Sequence, residues 1–140
     1  MRQIALLVSI LAVIFSSISC NNQENKKEVL QTANSSDVNV YYFHFTQRCA
    51  TCLAVEENAR KATEALYPDK VKTGEYSFTS LNLDEASSKE IADKLGVGGQ
   101  TLLIVRGDKK IDITSAGFMN ARDLNKMKEE IKSAVDKVLF

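Results

Sequence analysis

The chain has 140 residues and a balanced charge, 18 Lys and Arg against 18 Asp and Glu, with one His, one Pro, three Cys and no Trp. That length allows one domain with an ordinary core. The even balance excludes the basic footprint of a nucleic-acid or anionic-surface binder, so no nucleic acid is expected among its partners.

The first element is a targeting segment. Met1-Arg2 supplies a positive end, Ile4 to Phe15 is an apolar run, and small residues follow at Ser17 and Ser19. The run falls short of the roughly 20 residues a membrane span needs and suits a signal peptide over 1–19. Cleavage after Ser19 leaves Cys20 at the mature N-terminus. The leader resembles those of bacterial lipoproteins, which are cut before such a cysteine and acylated on it. An ordinary secretory signal with a stray cysteine is the alternative, but an odd thiol in an exported protein needs an explanation. Residues 20–37 are polar, lack a sustained apolar pattern and read as a flexible tether carrying the lipid on Cys20. The expected location is the bacterial cell envelope, as a membrane-anchored lipoprotein facing the periplasm, where disulfides persist.

The domain is predicted over 38–140. Val38 to Phe45 reads as a buried strand and Leu53 to Leu66 as a helix, with Tyr67-Pro68-Asp69 marking its stop. Tyr76 to Asp84 reads as a second strand, and Ser87 to Leu95 as a short helix ended by Gly96. Val97-Gly98-Gly99-Gln100 turns into a strongly apolar strand, Thr101 to Arg106. Gly107-Asp108-Lys109-Lys110 reads as a hairpin turn and Ile111 to Thr114 as the returning strand. Asn120 is placed to cap a last helix running to Leu139, whose apolar face is Leu124, Met127, Ile131, Val135 and Val138. The order β-α-β-α-β-β-α predicts an α/β fold: a mixed four-stranded sheet with helices on both faces.

Between the first strand and its helix lies Cys49-Ala50-Thr51-Cys52. A CxxC at a helix start sets one thiol over unpaired backbone N–H groups and the positive end of the helix dipole, which favours its thiolate. Cys49 is expected to be the exposed nucleophile, with Arg48 as a neighbouring cation. Cys52, one turn in, is expected to be more buried and to resolve the mixed disulfide. The predicted cofactor is none beyond this redox-active disulfide, and the predicted partner is a protein disulfide. The bland alternative is a non-catalytic binding module with a structural disulfide, presenting the sheet edge or the Gly98-Gly99 loop to a partner, but so small a ring gains little chain entropy. A second alternative is a soft-metal or metalloid site for Cu(I) or As(III) on Cys49 and Cys52; a closed zinc site needs four ligands, and none is predicted. The only histidine, His44, is most simply a packed strand residue, and otherwise a group that assists proton transfer. The aromatic run Tyr41-Tyr42-Phe43-Phe45 reads as core.

From Val38 to Leu139 the chain resembles the thioredoxin-like superfamily, on the CxxC after the first strand and the Thr101 strand with its hairpin. The dozen residues Tyr41 to Cys52 resemble the motif of the nitrophenyl compound nitroreductase subunit ArsF family, exported thioredoxin-like proteins of Bacteroidetes-type bacteria. That resemblance implies electron delivery toward nitro-substituted aromatics or arsenicals, with other reductase subunits as partners. Against ordinary thioredoxins, Ala50-Thr51 replaces Gly-Pro, Arg48 replaces a Trp, and Phe43 stands at a buried acid's position. Gln100 stands where the superfamily carries a cis-proline. A non-proline cis bond costs about 2.5–4 kcal/mol, so the Gly99–Gln100 peptide is expected to be trans. The loop Gly99-Gln100-Thr101 is expected to face the cysteines and to offer backbone groups to a substrate.

Overall fold

The structure, a computed structural model, describes residues 36–140. The predicted leader, the lipidation site Cys20 and the tether as far as residue 35 lie outside the described residues. Four strands, β1 (Val38–His44), β2 (Tyr76–Asn82), β3 (Thr101–Arg106) and β4 (Lys109–Asp112), form one sheet in the order β2-β1-β3-β4. β1 runs parallel to β2, Val38 facing Tyr76 and His44 facing Asn82, and antiparallel to β3, Tyr42 facing Leu102. β3 and β4 are antiparallel.

β1 sits inside the sheet and is buried on both faces, as its nearly unbroken apolar run requires. Its alternation sends Val38, Val40 and Tyr42 to one side. There they meet α1 (Ala50–Leu66) and α5 (Leu124–Leu139), through Val55, Ala59, Met127, Ile131, Val135 and Val138. Tyr41 and Phe43 point to the other side, against Ile91 and Ala92 of α3 (Ala86–Leu95) together with Leu81, Leu103 and Val105. The α5 stripe is almost wholly removed from water. At about 1.5–3 kcal/mol per fully buried large apolar side chain, it is what holds this helix on the sheet.

The local chemistry sets the boundaries, and in several places it differs from the sequence pattern. α1 starts at Ala50 rather than Leu53, because Cys49 itself acts as the N-cap and its sulfur accepts the Cys52 N–H. Pro68 ends α1 but does not end helical structure. It opens a second short helix, α2 (Pro68–Thr73), at a position where its missing N–H costs nothing. The β3–β4 turn is only Gly107-Asp108, and Lys109 and Lys110 belong to β4. Gly107, at φ 55°, supplies the positive φ that a two-residue II′ hairpin needs at its first position. Ile113-Thr114 leaves the sheet into α4 (Thr114–Met119), and Asn120 closes that helix instead of opening the next. Asp123 caps α5, its carboxylate accepting from the backbone N–H of Asn125 and Lys126. α4 lies close over β3: a Cβ on Gly117 would come within 2.8 Å of Leu102 Cδ2.

Candidate functional site: the Cys49–Cys52 disulfide

The segment leading to the first cysteine is tied to the β2–α3 connection. The backbone N–H of Leu83 donates to His44 O at 2.7 Å, and Asn82 Nδ2 donates to Thr46 Oγ1 at 2.9 Å. The Thr46 N–H donates to Asp84 Oδ2 at 2.8 Å. The Thr46 backbone N–H, with its hydroxyl second, holds the Asp84 carboxyl below its ordinary range. These bonds aim the chain so that Cys49 arrives in extended conformation at the head of α1.

Cys49 and Cys52 are joined as a disulfide, with Cα atoms 5.2 Å apart. Cys49 is exposed, whereas Cys52 retains 8% of its accessible surface. Cys49 Sγ accepts the Cys52 N–H at 3.2 Å, so one unpaired N–H of the first turn already points at the sulfur where a thiolate would form. The preceding residue, Arg48, is ion-paired through Nη1 with Glu56 Oε2, and both side chains are a quarter exposed. Phe45 and Leu53, on either side of the pair in the chain, are exposed apolar residues.

Beneath Cys52 lies a polar group that the sequence pattern had hidden. Tyr42 is fully buried, and its hydroxyl donates to the Cys52 carbonyl oxygen at 3.1 Å. Gln100 Nε2 donates to the Tyr42 oxygen at 2.6 Å, and Gln100 Oε1 lies 4.0 Å from Cys52 Sγ. Burial pushes the Tyr42 hydroxyl up, with the Gln100 hydrogen bond and then the Arg48 charge opposing, so it is a neutral donor at physiological pH. The signal for Tyr42 was available in the strand period, since it shares the α1 face of β1 with Val38 and Val40. A buried tyrosine also needs a partner for its hydroxyl.

The other expected site residues are placed as follows. Phe43 is fully buried on the α3 side of the sheet. His44 is buried and packs its ring 5.8 Å from that of Tyr42. Its Nδ1 lies 2.9 Å from the Phe45 carbonyl, which makes that nitrogen the protonated donor. The Gly99–Gln100 peptide is trans, and the Thr101 hydroxyl donates back to Gly99 O at 3.0 Å rather than to a cysteine. Among the described residues no three of His, Cys, Asp and Glu gather as a metal site, so His44 does not complete a ligand set with the two sulfurs. No described helix is long and apolar enough to cross a membrane.

A mixed four-stranded sheet between α1 and α5 on one face and α3 on the other, with a CxxC disulfide heading α1, is a thioredoxin-like fold. Among solved structures, the chain is similar to the zinc-bound form of human ERp44, with a TM-score of 0.55 and 15% identity. The likeness covers 79% of this chain and 30% of that one, and at this identity it speaks for the fold. No family model matches the chain, and no curated protein matches it.

Proposed function

We propose that this chain is an exported thiol–disulfide oxidoreductase that exchanges electrons with a protein disulfide through Cys49 and Cys52. The observation that carries the reading is the asymmetry of the pair. An exposed sulfur caps a 17-residue helix and receives a first-turn N–H, while its partner is buried one turn in. Cys49 as thiolate attacks the partner's disulfide and the partner's first sulfur leaves with the electron pair. Cys52 then attacks Cys49 Sγ, releasing the partner's second sulfur and closing the disulfide. The partner gains two electrons and two protons, and the dithiol loses them. Supply of electrons to a nitroaromatic or arsenical reductase is the narrower form of this proposal. Its support is the resemblance over Tyr41 to Cys52. The leader over 1–19 and Cys20 support a lipid-anchored place in the cell envelope.

The test is the reduction potential of the Cys49–Cys52 pair, measured on the full chain in thiol–disulfide buffers. A reversible transition between about −120 and −270 mV supports exchange. A pair that stays oxidised below about −300 mV marks a structural disulfide and ends the proposal.

A further inference from the structure

Tyr42 and Gln100 are 58 residues apart in sequence yet meet beneath Cys52, and their hydrogen bonds leave little freedom in how the Gln100 amide is turned. The Tyr42 hydroxyl has one proton, and it is given to Cys52 O. Its oxygen therefore accepts, and only the NH₂ end of Gln100 can donate to it. That choice turns Oε1 toward Cys52 Sγ. An amide oxygen is an acceptor without a proton, so it favours a thiol at that sulfur and opposes a thiolate. The reversed amide would do the opposite, presenting N–H groups to the sulfur.

We infer that Gln100, with its amide fixed by Tyr42, is a positioning residue that keeps the Cys52 sulfur protonated until Cys49 has been taken up into a mixed disulfide. The inference rests on the exchange reading above and deepens it, because it assigns the control of the resolving step. In that step Cys52 S–H gives its proton to water and the sulfur lone pair forms the bond to Cys49 Sγ. The bond from Cys49 to the partner breaks, and the leaving sulfur takes the electron pair. Phe43, lying on the far face of the sheet, supplies no base for the proton. The threshold for resolution is thus set by two neutral side chains instead of a carboxylate.

The experiment uses the full chain with Cys20→Ser, so that only the pair reacts, and follows its reduced form with Ellman's reagent. The first release of thionitrobenzoate reports attack by Cys49; the second reports resolution by Cys52. Gln100→Ala and Tyr42→Phe should both move the pH midpoint of the second phase toward acid, by about half to one unit. The first removes the acceptor, and the second frees the amide to turn its N–H groups to the sulfur. Gln100→Glu should move the midpoint toward alkali, because a carboxylate opposes the thiolate more strongly. Opposite signs at one position separate this role from general loosening of the loop, and Tyr42→Phe keeps the packed ring. Midpoints unchanged in all three variants, or shifted alike by Gln100→Ala and Gln100→Glu, would overturn the inference. A parent protein with a first phase and no second would instead overturn the exchange reading itself.

Discussion

Arg48, the residue before the exposed cysteine, is ion-paired with Glu56 two turns into the helix that the cysteine caps. Its positive charge is therefore partly cancelled where a Cys49 thiolate would form. Glu56→Gln should release that charge, stabilise the thiolate and with it the reduced pair, and make the potential about 5–20 mV more oxidising. The small size follows from the pair's partial exposure. Equilibration of variant and parent in glutathione buffers measures it, and a potential that is unchanged or lowered would refute the coupling.

Replacing the cysteines should separate their roles. Cys49→Ser is expected to abolish exchange, since the buried Cys52 sulfur cannot meet a partner disulfide. Cys52→Ser should leave attack intact and strand the partner as a mixed disulfide on Cys49. Non-reducing gels with a model protein disulfide read both, and full activity in Cys49→Ser would sink the mechanism.

The anchoring of the loop before Cys49 should be acid-sensitive. Asp84 has its folded pKa below the ordinary 3.8, so its contribution is fully present above that value and is lost as pH falls through the folded one. Asp84→Asn should cost stability at pH 7, and the gap to the parent should narrow as pH falls below 3.8. Denaturant midpoints at several pH values test this, and a gap that is constant with pH would contradict it.

Alkali should act on a different part of the fold. Burial, then the Asp136 charge, pushes the Tyr67 hydroxyl up to about 12 from 10.0. Between those values the unfolded chain loses this proton before the folded one does, so stability falls as pH rises. Tyr67→Phe should flatten that decline. Tyr67 Oη is buried and makes no hydrogen bond among the described residues, so the change should be neutral or mildly stabilising at pH 7. The ring contact with Tyr76, at 4.9 Å between centroids, is retained. Thermal melts at neutral and alkaline pH provide the comparison, and an equally steep alkaline decline in the variant would refute the assignment.

The long elements were legible in the chain because their periods are long enough to read. β1, α1 and the α5 stripe follow from apolar spacing alone, and Cys49-Ala50-Thr51-Cys52 marks its own position. The six-residue helices α2 and α4 were missed, since neither completes a second turn of pattern and α2 buries no residue. Asn120 and Asp123 are both good caps, and only the carboxylate's reach to two N–H groups decides between them. Tyr42 read as core because its ring is core, while the role of its hydroxyl depends on Gln100, at a distance no local window spans. His44 read as a packed residue and is one.

The two-sided burial of β1 gives the site a dependence on strand alignment. Tyr41, Tyr42 and Phe43 are similar in bulk, so a chain that paired β1 one position out of step would still fill both faces with aromatic rings. It would, however, turn a different ring toward the head of α1. Tyr42 would no longer hold Cys52 O, and Gln100 would lose the partner that orients it. A misaligned molecule could thus pass every measure of compactness and helix content while its cysteines behaved differently. Thiol reactivity, more than spectroscopy, is the assay that distinguishes correctly assembled protein from a misaligned form.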